Sequence, residues 1–212
     1  MIECFFDCSS PWTWLGFHNL QPLAAELGVP VRWRPILVGG IFNAVNPSVY
    51  ESRAHGVPAK QAYLKKDLMD WAQHCGLPIR FPPTVFPVNS VKAMRGCLWA
   101  EAQHGPAALV ALATAYFEAY WRDDRDLSKD AVLADCARAA RLDADALAAG
   151  IATPAIKAQL KANTDEAIAR GAFGSPTIFV GGDDMYFGND RLPLVRAAVL
   201  RRQGLGAPVG RA

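Results

Sequence analysis

This chain has no pair of cysteines spaced for redox work. Its five cysteines, at positions 4, 8, 75, 97 and 136 of 212 residues, form no Cys-x-x-Cys motif and leave an odd count that suits no disulfide framework. That pattern speaks for a reducing compartment, the cytoplasm, and against a secreted scaffold. Charge of one sign is scarce as well. A formal net charge of +2, with lysines and arginines dispersed, excludes the basic stripe of a nucleic-acid binder. No apolar run reaches the ~18 residues of a membrane span. The opening segment, Met1 to Asp7, lacks the basic flank and small-residue cleavage site of a signal peptide. The four histidines, His18, His55, His74 and His104, stand apart from one another and from any cysteine or acid at ligand spacing, so no metal site is expected.

What the chain does have is apolar material. Hydrophobic residues make up 51% of it, enough for one large core. Residues 2–6 read as a strand and residues 7–11 as a turn. A helix follows with Pro11 in its first turn, where a missing N–H costs nothing. Leu15, Leu20, Leu23, Ala24 and Leu27 form its inward stripe, Gly28 closes it, and Pro22 interrupts it. A second strand is expected over residues 31–38, with Pro35 marking an edge or a bulge. From residue 43 to residue 171 the pattern is helical. Leu64, Leu68, Trp71, Ala72 and Cys75 share one face, as do Leu109, Leu112, Ala113, Tyr116, Phe117 and Tyr120. Ser128 is placed to cap a further helix, and Thr153-Pro154 to open another that Gly171 ends. Residues 177–180 and 185–187 then read as a hairpin around Gly181-Gly182, and residues 191–202 as a final helix. Strand, helix and strand, then strand, strand and helix, predict an α/β fold with a helical insertion: residues 1–42 and 172–212 as one domain, 43–171 as the other.

Two distant stretches belong together in such a fold. Ser10-Pro11-Trp12-Thr13 opens the first helix, and Gly174-Ser175-Pro176-Thr177 leads into a later strand. A helix-opening Cys or Ser paired with a distant X-Pro is the arrangement of a thioredoxin-like active site. Here Ser10 occupies the position of the first redox cysteine and Thr13 that of the second, which removes disulfide exchange from the pair. Ser10 then serves either as a plain N-cap or as a hydroxyl donor to a sulfur brought by another molecule, at a helix end that favours anions. Cys8, two residues away, is either a redox handle or buried filler. The other four cysteines fall in core stripes and are expected to be inert.

The residues around these stretches make the pattern more specific. Phe6-Asp7, Ser10 to Phe17, Gly39-Gly40-Ile41, Phe81-Pro82, Ile151 to Pro154, Gly171 to Thr177 and Phe187 to Arg191, in this order, resemble the kappa-class glutathione transferases and the bacterial 2-hydroxychromene-2-carboxylate isomerases. The resemblance covers nearly the whole chain and implies a thioredoxin-like, DsbA-type fold with a large all-helical insertion. It implies glutathione as cofactor, with Ser10 as the catalytic donor to its sulfur and Ser175, before a cis Pro176, pairing with its cysteinyl backbone. Lys60 is implied for the glycyl carboxylate, Asn189 with Asp190 for the γ-glutamyl end, and Asn46 as a further glutathione-binding residue. The implied activity is glutathione-dependent interconversion of 2-hydroxychromene-2-carboxylate and trans-o-hydroxybenzylidenepyruvate in aromatic degradation, in a homodimer. Glutathione conjugation by a kappa-class transferase is the alternative. A disulfide oxidoreductase and a non-catalytic binding scaffold are the remaining readings. An aromatic carboxylate substrate needs an apolar slot and a cation: Trp12, Trp14, Phe42 and Trp71 are candidate walls, although aromatics at such positions are commonly core. Arg34, Arg53 and Arg80 are candidate partners for the carboxylate.

Overall fold

In the computed structural model, which describes residues 1–205 and every side chain among them except that of Arg53, the first strand sorts its residues to two sides of a sheet. Along β1 (Ile2–Phe6), Ile2, Cys4 and Phe6 enter the main core, while Phe5 enters a smaller one on the opposite side. After the turn, α1 (Pro11–Glu26) leads to β2 (Val31–Pro35), which pairs parallel with β1. The second strand therefore stops three residues short of the expected end. Pro35 closes it, and Val38 opens a helix instead, giving its N–H to the Asp7 carboxylate at 2.9 Å.

Eight helices then follow in the order α2 (Val38–Val45), α3 (Ser48–Ala54), α4 (Pro58–His74), α5 (Val91–His104), α6 (Pro106–Phe117), α7 (Asp130–Ala139), α8 (Ala144–Gly150) and α9 (Pro154–Ala169). Three expectations within this block need correction. Ser128 does not cap α7: Lys129 occupies that place, and Asp126 takes the Ser128 N–H in the preceding turn. Leu64 is exposed, so the buried face of α4 narrows to Leu68 and Ala72 with Trp71 and Cys75 half-buried. A single helix through Tyr120 gives way to a π-turn, Glu118–Arg122, at the end of α6. That turn directs the buried Trp121 indole N–H to the Cys8 carbonyl at 2.8 Å, tying the helical block to the loop before α1. Thr153 caps α9 as expected, its Oγ1 accepting from the Ile156 N–H, and Gly171 follows at φ 88°.

The chain returns to the sheet as β3 (Thr177–Val180), antiparallel to β1, and β4 (Asp184–Phe187), antiparallel to β3, giving the order β2-β1-β3-β4. A short 3₁₀ turn, Asn189–Arg191, leads into α10 (Leu192–Arg202), which starts one residue later than the pattern suggests. Both α1 and α10 pack together beside the sheet. Between β2 and α9 lies a buried ionic group. Arg34, 6% exposed, donates to Glu3, to both oxygens of Glu166 and to Asn163 Oδ1, and stands 4.9 Å above the Phe5 ring. Arg170 adds contacts to Glu3, Glu166 and the Phe179 ring.

Candidate active site

Asp7 ends β1 and organises the turn that follows. One carboxylate oxygen accepts from the Ser9 N–H and the other from the Val38 N–H, both at 2.9 Å. Burial pushes this carboxyl above the usual range against those hydrogen bonds, which favours the neutral form. The chain then reaches Ser10, half-buried with an extended backbone, at the N-cap of α1. Its Oγ accepts from the Thr13 N–H at 3.3 Å, and its own O–H has no acceptor among the described residues. A sixteen-residue helix without acidic residues in its first turn puts the positive end of its dipole beside that hydroxyl. Ser10 is thus a cap and an available donor at once.

The second stretch comes to the first through hydroxyls. Thr13, fully buried, has its Oγ1 2.8 Å from Ser175 Oγ, and Ser175 Oγ accepts from the Asp7 N–H at 3.1 Å. The Ser175–Pro176 peptide is cis, in agreement with what the resemblance implies. Pro176 rests against Gly16: a Cβ there would fall 2.8 Å from Pro176 Cγ. The Gly188 N–H donates to the Pro176 carbonyl at 3.1 Å, holding the end of β4 to the same loop.

The remaining expected ligands are spread around this centre. Asn46, at the end of α2, donates to the Phe173 carbonyl at 3.1 Å and so reaches the loop that precedes Ser175. Lys60 lies exposed in the first turn of α4 with no ion partner among the described residues. Asp190 is half-exposed and pairs with Arg191. The Asn189 side chain turns inward, where its Oδ1 accepts from Asn19 Nδ2 at 2.8 Å.

The aromatic and cationic candidates fare differently. Trp14 is core, stacked 6.2 Å from Phe117 and 3% exposed, so it walls no slot. Trp12 and Phe42 are half-buried, and Trp71 lines a cavity beside α1. Arg34 is committed to its acids and is not a carboxylate partner for a substrate. Arg80 is exposed and pairs with Asp124 at 3.6 Å. The Arg53 side chain lies outside the described residues. Cys8 is fully buried with its thiol pushed up by burial, which removes it as a redox handle. Sequence reasoning gave no role to Asp7 or Asn19 and passed over an exposed aromatic pair next to Ser175, Phe173 and Phe187, whose rings lie 4.5 Å apart. The Gly174 between Phe173 and Ser175 was the available signal, since a Cβ there would meet the Phe187 ring at 2.8 Å.

Comparison with known proteins agrees with this fold. The DSBA-like thioredoxin domain matches residues 1–200. The chain is 30% identical over 205 residues to glutathione S-transferase kappa 1 of Homo sapiens, covering 92% of this chain and 88% of the relative. It is 29% identical over 201 residues to 2-hydroxychromene-2-carboxylate isomerase of Pseudomonas putida, covering 95% of each. Among solved structures, a 2-hydroxychromene-2-carboxylate isomerase superposes with a TM-score of 0.78 at 27% identity, over 97% of this chain and 99% of that one.

Proposed function

Because this chain belongs to the DSBA-like thioredoxin domain family, and its relatives are isomerases and glutathione transferases, we propose that it is a glutathione-dependent isomerase of 2-hydroxychromene-2-carboxylate. The observation that carries this reading is the Ser10 O–H, uncommitted at the start of α1 and joined through Thr13 to the Ser175–Pro176 loop. The residues present suit the tripeptide. Ser10 donates to the sulfur, and the helix dipole favours its anionic form. Ser175 offers main-chain groups to the cysteinyl unit, as an added strand would take them. Lys60, lacking an ion partner among the described residues, suits the glycyl carboxylate, and Asn46, held to the Phe173 carbonyl, borders the loop that carries Ser175. Asp190 suits the free amine, and the neighbouring Asn189 contributes its backbone, its side chain being engaged with Asn19.

Bound there, glutathione supplies a thiol that adds reversibly to the conjugated double bond of the substrate and leaves unchanged once that bond has rotated. The chain's own part is positional and electrostatic. The Ser10 hydroxyl keeps the sulfur ionised at neutral pH, aided by the positive end of the α1 dipole. The exposed Phe173–Phe187 pair, its rings tilted 41° to each other, offers an apolar surface to an aromatic acid next to Ser175. The five free cysteines suit a cytoplasmic setting.

Conjugation of glutathione to an electrophile is the second reading, since the human kappa relative is as similar as the isomerase. Assays of chromene carboxylate turnover with and without glutathione, run beside a halo-aromatic conjugation assay, separate the two. Turnover that depends on glutathione without consuming it supports the isomerase. Faster consumption of glutathione in the conjugation assay supports the transferase, and activity in neither removes the proposal.

A further inference from the structure

Four of the five thiols are sealed in the interior. Burial pushes those of Cys4, Cys8 and Cys97 well above the ordinary range and that of Cys136 up to about 11. Cys75 departs from the expectation that it is inert core. It is half-buried at the end of α4 and lines a cavity of about 300 Å³ with Asn19, Trp71, His74, Asn189, Leu192 and Pro193. One carboxamide spans this cavity: Asn19 Nδ2 donates to Cys75 Sγ at 3.1 Å and to Asn189 Oδ1 at 2.8 Å. The same cavity holds an unmet demand. Asn189 is only 4% exposed, and its Nδ2 has no acceptor among the described residues. A buried amide N–H left unpaired is unfavourable, so a ligand oxygen that reaches this amide as the Asn19 bridge opens gains a hydrogen bond that the protein does not supply. The lining contains no carboxylate to repel such an oxygen, and the Trp71 indole gives it an apolar wall.

We propose that Cys75 is a reversible modification site, and that the cavity takes up one half of a small disulfide bearing carboxylate or amide oxygens, of the oxidised-glutathione type. The Cys75 thiol loses its proton to water, and its sulfur attacks one sulfur of the disulfide. A new S–S bond forms as the old one breaks, and the departing thiolate takes up a proton. Cys75 is oxidised and half of the small disulfide is reduced, so no further oxidant enters. An oxygen of the attached group accepts from Asn189 Nδ2. Modification also loosens the Asn19 bridge, and Asn189 belongs to the turn that carries Asp190. The Asn189 Cα lies 4.0 Å from the point where a Gly16 Cβ would fall, against Pro176. The thiol state of Cys75 therefore tunes the candidate active site, a consequence that rests on the function proposed above.

The test is to incubate the intact protein with oxidised glutathione and map the adduct by peptide mass spectrometry, with the Cys75→Ser variant in parallel. The expected result is one glutathionyl group per chain, on Cys75, formed faster than on an unstructured cysteine peptide, removed by dithiothreitol and absent from the variant. Titration calorimetry with S-methylglutathione, which has no thiol to strip the adduct, should then show binding about tenfold weaker to the modified protein, as loss of one neutral hydrogen bond predicts, and equal binding would overturn the coupling. An adduct on another cysteine, no adduct, or a rate no faster than the peptide's overturns the site. A protein that takes the adduct on Cys75 yet never turns over chromene carboxylate removes the proposed function and leaves this site standing.

Discussion

Ser10 caps α1 and, in the proposed function, also donates to the glutathione sulfur, so a single substitution has two expected outcomes. In Ser10→Ala the N-cap hydrogen bond to Thr13 is lost, which costs about 1 kcal/mol of stability. Loss of the donor to the sulfur lowers glutathione-dependent turnover about 100-fold, the scale set by removing one preorganised donor from a catalytic site. Thermal unfolding and steady-state kinetics on the same preparation check the pair of outcomes. A modest fall in Tm with unchanged turnover would leave Ser10 as a cap alone. Asp7 makes a prediction of the opposite kind. Its carboxyl is held above the ordinary value by burial, so the folded state keeps the proton that the unfolded state has already released. The stability it contributes is present below the unfolded value and is lost as pH rises through the folded one. Glu166, held low by Arg34, contributes with the reverse sign, its stabilisation being lost as pH falls. The difference between wild type and Asp7→Asn isolates the first effect. Denaturant unfolding between about pH 4 and pH 8 should show wild type losing stability relative to the variant as pH rises.

The contact between α1 and the Pro176 loop depends on a glycine. Alanine at position 16 would favour the helix by about 1 kcal/mol, but its Cβ would press on Pro176 Cγ at 2.8 Å. Overpacking of that kind costs about 1–3 kcal/mol, so the clash wins and the loop moves. In Gly16→Ala, glutathione affinity should fall more than helix content, read by calorimetry and circular dichroism on one sample. Equal affinity would mean that the loop does not need this seat. Much of the local geometry here was legible beforehand. Pro11 behind Ser10, Thr153 before Pro154 and Gly171 after α9 are short-range devices whose partners lie within four residues, and each appears where the pattern puts it. The expected Ser128 cap and the extended second strand fail for a related reason. An aspartate two residues before Ser128 competes for its N–H, and one thirty-one residues before Val38 takes the N–H that opens α2. The first competitor was in view along the chain, whereas the second is brought near only by folding.

Across the molecule, Arg34 joins the sheet to the helical block. Replacing it with leucine leaves Glu3 with Arg170 and leaves Glu166 half in water, so the loss is smaller than for a fully buried pair, about 2 kcal/mol. Urea unfolding should show that loss while kcat/KM for chromene carboxylate stays within about twofold, because the group stands in the α9 interface and not at Ser10. A large drop in kcat/KM with unchanged stability would return Arg34 to the substrate. Order of elements, the Ser10 cap and membership of the family were open to inspection of the chain, because helix and strand periodicity, caps and the Ser-Pro pairs are encoded by neighbours. Which polar side chains meet was not. Thr13 with Ser175, Arg34 with Glu166 and Asn19 with both Cys75 and Asn189 join residues 56 to 170 positions apart. Their hydrogen bonds exist only once folding has brought distant elements into contact and fixed the side chains between them, and nothing in the spacing of the residues records that approach.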